Sequence, residues 1–288
     1  MGGTMRRCLA RSGWLARAGG VLALATLATG ALAGPARIAS INMCTDQLLL
    51  ALADPEQIAG LGPYARDPRL SWSATEALRY PRLSGEAEDL LMLQPDLVLA
   101  GRYGKRATRD LLRAKAVPVA EFDVPRSIDD VKSQIRRAGD LVGHTDRAEA
   151  LIAKIDEALS RTRAAASRRH DRVLTVSRRG WVSGSDSLTS SLLAAAGLSN
   201  AAAELGLPHG GFAALETIVA SKPDLILIAE ADPAAEDQGK ALLLHPAIQR
   251  AYPPDKRLVI AEQLTMCGGP MLPAALDRLT AALDRIGH

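Results

Sequence analysis

The sequence predicts an α/β protein made of two Rossmann-like lobes joined by a long helix. Three observations carry that expectation. Short apolar runs bounded by turn residues alternate with helical patterns, a block around Glu88 returns around Glu216, and between the two halves a helix-period stretch runs without Gly or Pro. Strands that alternate with helices form parallel sheets covered by those helices.

Composition agrees with a packed protein. The 288 residues are 48% hydrophobic and 23% charged, which supplies a core and argues against disorder. The 24 Gly and 16 Pro follow no short period, which excludes collagen and coiled coil.

The first 33 residues form a segment of their own. They contain Arg6, Arg7, Arg11 and Arg17 but no acid, then an apolar stretch from Val21 to Ala33 ending Ala31-Leu32-Ala33. This is the pattern of a secretory signal peptide with a small-residue cleavage site. The stretch falls short of the roughly 18 apolar residues of a membrane span. No Cys follows the cleavage site directly, so a lipid anchor is not expected and the product is read as a soluble protein of a bacterial periplasm. What remains has 31 basic and 32 acidic residues, a balance that argues against a nucleic-acid protein.

Residues 34–126 are read as the first lobe, 127–168 as a helical linker and 169–288 as the second lobe. The first lobe opens with a strand at Arg37-Ile38-Ala39-Ser40-Ile41. Thr45 or Asp46 is placed to cap the helix that carries Leu48, Leu49, Leu50 and Leu52. Further strands are read at Leu97 to Ala100 and Val117 to Phe122, and in the second lobe at Val173 to Ser177, Leu225 to Ala229 and Leu258 to Ala261. The linker begins near Ser127, breaks at Gly143-His144 and resumes from Thr145 to about Ser167. There Ala148, Leu151, Ile152, Ile155 and Leu159 keep helical spacing. At about 1.5 Å per residue the second piece spans about 34 Å.

The most informative feature is the repeat. Glu88-Asp89-Leu90-Leu91-Met92-Leu93-Gln94-Pro95-Asp96-Leu97-Val98-Leu99 is matched, 128 residues later, by Glu216-Thr217-Ile218-Val219-Ala220-Ser221-Lys222-Pro223-Asp224-Leu225-Ile226-Leu227. In each copy a Glu opens a short helix, Pro-Asp turns the chain and an apolar strand follows.

At these residues, and at Val182-Ser183-Gly184 ahead of Leu192-Leu193-Ala194-Ala195-Ala196-Gly197, the sequence resembles the periplasmic substrate-binding proteins of ABC importers, in the class that binds cobalamin, haem and iron-siderophore complexes. The resemblance covers about Arg37 to Ile286. It implies a rigid backbone helix between the lobes, a ligand cleft between them and little closure on binding. It further implies a monomer that does no chemistry and needs no cofactor. Such a protein captures a metal chelate, here a cobalamin-like corrinoid or ferric siderophore, with haem a further candidate, and delivers it to an inner-membrane permease driven by a separate ATPase. Glu88 and Glu216 match the acidic residues that, in the family, pair with arginines of the permease; both also suit a helix start through the dipole.

Ligands of open α/β sheets sit beyond the carboxyl ends of the strands. The loops there hold Cys44, Arg102, Tyr103, Arg178, Arg179, Trp181 and Cys267. Tyr64 and Trp72 flank a nearby turn, and His209 and Phe212 precede the second docking helix. Aromatic faces and arginine forks suit a large amphipathic ligand with acidic groups, whereas Trp181 and Phe212 serving only to pack their loops is the plainer alternative. Cys44 and Cys267 are open to three readings: a disulfide favoured by an oxidising compartment, thiols facing a soft metal, or inert burial. Two competing functions follow: an extracytoplasmic soft-metal carrier using Cys44 and Cys267, with His209 a further candidate, or an exported metal-dependent enzyme. Against the enzyme, the chain has no G-x-S-x-G elbow and no H-x-x-x-H or C-x-x-C spacing.

Overall fold

Runs of mainly apolar residues closed by turns produce the longer strands of two separate sheets in the computed structural model, which describes residues 35–167, 169–229 and 241–286. The signal segment expected at 1–33 lies outside the described residues. In the first lobe β1 (Ile38–Ser40), β2 (Ile58–Gly60), β3 (Leu97–Gly101) and β4 (Val119–Phe122) form an all-parallel sheet in the order β2-β1-β3-β4. The chain reaches each next strand through α1 (Met43–Leu52), α2 (Ala74–Ala77), α3 (Ala87–Leu93) and α4 (Arg106–Ala114). Ile38, Leu49, Leu52, Leu97 and Leu99 are buried on one side of this sheet and Ala39, Leu90, Val98 and Leu112 on the other. Near-continuous apolar strands are expected where helices cover both faces.

The cap of α1 differs from expectation. Asn42, not Thr45 or Asp46, supplies it, its Oδ1 accepting the N–H groups of Cys44 and Thr45 at 3.0 and 3.3 Å. Thr45 and Asp46 lie inside the helix and are buried.

In the second lobe β5 (Arg172–Val176), β9 (Leu225–Ala229) and β10 (Arg257–Ile260) run parallel, and β7 (Ser199–Asn200) adds to β5. The order β7-β5-β9-β10 repeats that of β2-β1-β3-β4, so the duplication read from the sequence extends to topology. This lobe adds an antiparallel pair, β6 (Trp181–Val182) and β8 (Gly211–Phe212), on the same edge of β5 as β7 but at the far end of the strand. Its helices among the described residues are α7 (Leu188–Ala195), α8 (Leu215–Ala220), α9 (Pro246–Ala251), α10 (Glu262–Thr265) and α11 (Leu272–Ile286), the numbers α5 and α6 falling to the linker.

The repeated Pro-Asp has the same task in both copies. Asp96 accepts the N–H of Arg37 at 2.8 Å and returns its own N–H to the Arg37 carbonyl at 2.8 Å. Asp224 does the same with Arg172, at 2.8 and 2.9 Å. Each aspartate therefore ties the start of its strand to the start of the neighbouring one. The residue before each proline, Gln94 or Lys222, takes a positive φ of 49° or 43° as its helix ends, the left-handed conformation that commonly closes a helix.

Between the sheets run α5 (Ile128–Val142) and α6 (Thr145–Ala166). Ser127 and Asp130 form a capping box at the start, and Gly143 ends α5 with a φ of 82°. The 22 residues of α6 span about 33 Å. Ala148, Ile152, Ile155 and Ala158 pack in the first core, and Ala166 in the second. Thr162 Oγ1 donates to the carbonyls of Ala158 and Leu276, while Arg161 pairs with Asp277 at 2.8 Å, so α11 is fastened along the same helix. The molecule is thus bilobal, with α6 anchored in both cores.

Candidate functional site

The carboxyl ends of β1, β3 and β4 open onto a cleft of about 950 Å³ between the lobes. From the first lobe it receives Asn42, Cys44 and Leu48 at the start of α1, Arg102 and Tyr103 after β3, and Asp123 and Arg126 after β4. Gln134 and Arg137 enter from α5. The facing wall consists of Asp186 to Thr189, His209 and the segment Thr265 to Gly268.

Of the residues expected from sequence, Cys44, Arg102, Tyr103, His209 and Cys267 come together here. Tyr64, Trp72, Arg178, Arg179, Trp181 and Phe212 are not among the lining residues. For the group after β5 the reason is local: Ser177 N–H bonds to the Trp181 carbonyl at 2.7 Å, and β6 folds back antiparallel on β5. That tight return leaves no loop to reach the cleft. Trp181 instead stacks edge-on against Phe212, with centroids 5.1 Å apart.

Sequence reading missed Asp123, Arg126, Arg137, Asp186 and Met266 as lining residues. Applying the strand-end rule to β4 would have found Asp123, whereas Arg126 and Asp186 are 60 residues apart and nothing local announces their pairing.

The cleft is polar but internally balanced. Arg102 pairs with Asp123 at 3.1 Å and Arg126 with Asp186 at 2.9 Å. Arg137 lies over the Phe122 ring, 4.9 Å from its centroid. The backbone N–H of Arg126, then the hydroxyl and N–H of Ser127, hold the Asp130 carboxyl below the usual carboxylate range. Two groups of the lining that can ligate a metal are largely exposed, and one of them, His209, faces Asp186 at 3.3 Å. The Tyr103 residue is 76% exposed and the His209 side chain 79% exposed, one on each lobe.

Cys44 and Cys267 form a disulfide, with Cα atoms 5.4 Å apart, so of the three readings the bridge is the one present. It joins the first turn of α1 to the segment before α11, and both residues line the cleft. Sulfurs bonded to each other are not thiolate ligands, which removes the donors of the soft-metal carrier. Among the described residues no group of three or more His, Cys, Asp or Glu is placed to hold a metal ion. No helix among them is long and apolar enough to cross a membrane.

Glu88 and Glu216 lie in the first turns of α3 and α8, equivalent helices of the two lobes, and both are exposed.

Comparison with known proteins adds an independent line. A family model described as periplasmic binding protein matches residues 38–251. Among solved structures, the periplasmic haem-binding protein RhuT from Roseiflexus sp. RS-1 is 26% identical. The alignment covers 88% of this chain and 100% of that one, with a TM-score of 0.71. The periplasmic haem-binding protein BhuT in complex with two haems is 25% identical over 86% and 98% of the two chains, at 0.66. The periplasmic vitamin B12 binding protein BtuF of Vibrio cholerae, 17% identical over 88% and 98%, also gives 0.66, which is a likeness of fold. No curated protein matches.

Proposed function

Because this chain belongs to the periplasmic binding protein family, and is therefore an extracytoplasmic substrate-binding protein and not an enzyme, we propose that it captures haem or a closely similar metal macrocycle in the cleft and delivers it to an inner-membrane ABC permease. The observation that carries this reading is the presence of Tyr103 and His209 in one cleft, each contributed by a different lobe. A phenolate and an imidazole are both axial ligands of haem iron. A planar macrocycle leaves its axial positions open to such groups, whereas a hydroxamate siderophore fills the coordination sphere of its ferric ion. A volume of about 950 Å³ also suits a ligand of that size. The likeness to two haem-binding relatives at 25–26% identity supports the same choice over the corrinoid or siderophore expected from sequence.

Titration of the purified protein with ferric haem, cyanocobalamin and a ferric hydroxamate, followed by absorbance, tests it. Haem is expected to bind saturably with a shifted Soret band, and Tyr103→Phe to weaken binding by about tenfold or more, roughly 1.4 kcal/mol. Saturable binding of cobalamin or the hydroxamate with none of haem would overturn the assignment.

Glu88 and Glu216 are proposed as the permease contacts. They sit at matched places on the two lobes, and exposed charges act chiefly on encounter and orientation. The double variant Glu88→Ala/Glu216→Ala is expected to lose most uptake in cells while binding cargo as before. Undiminished uptake would remove the assignment.

A further inference from the structure

We propose that Asp186 is the positioning residue of the cleft, holding His209 with its Nε2 free for the metal of the cargo and linking that aim, through Arg126, to the opposite wall. This rests on the reading of His209 as a metal-facing group.

Asp186 Oδ2 lies 3.3 Å from His209 Nδ1 and 2.9 Å from Arg126 Nη1. A carboxylate facing Nδ1 favours the tautomer that carries its proton there and leaves the lone pair on Nε2, the form that binds metal. Arg126 comes from the segment between β4 and α5, Asp186 from the segment leading into α7. One oxygen thus serves Arg126 of the first-lobe wall and the imidazole together.

The loop that carries Asp186 is built to hold a direction. Asp186 N–H donates to the Pro208 carbonyl at 2.7 Å, next to His209. Ser187 Oγ donates to the Gly184 carbonyl at 2.6 Å, and Asn200 Nδ2 donates to the carbonyls of Ser183 and Gly184 at 3.1 and 3.0 Å. At Gly184 the loop meets its neighbour backbone to backbone: a Cβ there would stand 2.2 Å from the Gly210 nitrogen and 2.4 Å from the Pro208 carbonyl oxygen. Segments 183–187 and 208–210 are therefore tied backbone to backbone, which keeps Asp186 and His209 neighbours. The Arg126 backbone is tied in turn, its amide N–H donating to Asp130 Oδ2 at 2.9 Å.

An exposed ion pair adds little to stability, so the arrangement acts on orientation. A cargo metal held between Tyr103 and an aimed His209 joins the two walls. Chelates with no open axial position gain nothing from it, and Asp186 thereby favours macrocycles over pre-saturated siderophores.

The test uses ferric haem as the probe and the spectrum and release rate of its complex as readouts, for the wild type, Asp186→Asn, Asp186→Glu, Arg126→Gln and His209→Ala. Asp186→Asn preserves the backbone bonds of the loop, and circular dichroism checks that it folds. It is expected to shift the haem spectrum towards that of His209→Ala and to speed haem transfer to apomyoglobin about tenfold, with Asp186→Glu restoring most of both. Arg126→Gln is expected to keep the spectrum and speed release. A wild-type spectrum in Asp186→Asn, with His209→Ala clearly altered, overturns the positioning role. A wild-type spectrum in His209→Ala overturns it as well, while leaving haem binding itself in place. Failure of the wild type to bind haem overturns the functional reading and this inference together.

Discussion

Replacing both Cys44 and Cys267 by serine is expected to lower the unfolding free energy by about 4–5 kcal/mol, the upper end of what a disulfide contributes. The bridge closes a loop across 223 residues of sequence, and in the chain-entropy account the restriction on the unfolded chain grows with the logarithm of that length. Its position adds a second consequence. Cys44 stands at the start of α1 and Cys267 packs in the second core, so the lobes are joined at the cleft as well as through α6. The bridge is therefore expected to restrain separation of the lobes, and its reduction to ease it. Urea unfolding of oxidised wild type, reduced wild type and the double-serine variant measures the first effect. Scattering of the same three forms measures the second, with a larger radius of gyration expected when the bridge is absent. Coincident unfolding midpoints would show that the bridge contributes nothing to the fold.

The second large effect is a loss of stability as pH rises through the mildly acidic range. Asp46 is fully buried in α1, and burial, outweighing the nearby Ser40 hydroxyl and the Gly62 N–H, pushes its pKa from 3.8 up to about 7. Oδ1 accepts the Gly62 N–H at 3.1 Å, while Oδ2 is buried without a partner. A carboxyl whose folded pKa lies above its unfolded value holds more protons folded than unfolded between the two. Stability from this group is therefore greatest below about pH 4, falls as pH rises towards about 7 and levels off above. At about 1.4 kcal/mol per unit the total is on the order of 4 kcal/mol. Asp46→Asn, which cannot ionise, is expected to flatten that slope. Urea midpoints at pH 5 and pH 8 for both proteins decide it, and parallel slopes would mean that Asp46 is ionised without penalty in the fold.

Asp46 also illustrates a limit of reading a sequence. As a polar residue near the start of a helix it looks like a cap, and only the packing of α1 against the Gly62 loop makes it a buried acid. Asn42 does the capping because it alone stands outside the first turn. The short strands β2, β6, β7 and β8 went unread for a related reason: two or three residues do not establish a period of two. The strands of β1, β3, β4, β5, β9 and β10 were legible because each is an apolar run bounded by turn residues. Their ends fall within two residues of expectation.

The site divides along the same line. Cys44, Arg102 and Tyr103 follow predicted strands and were found by the strand-end rule. It failed for Arg178, Arg179 and Trp181 as lining residues because β6 turns back at once, a hairpin whose pairing partner β8 lies some 30 residues on.

Duplicated lobes, the long helix, the matched glutamates and, in the first-lobe wall of the cleft, Cys44, Arg102 and Tyr103 were thus determined by the sequence alone, since each depends on local pattern or on repetition. The union of Cys44 with Cys267, the burial of Asp46 and the meeting of Arg126, Asp186 and His209 were decided only by the tertiary structure. Each joins groups far apart in the chain, or sets a group's surroundings by what packs against it, and neither leaves a mark on neighbouring residues.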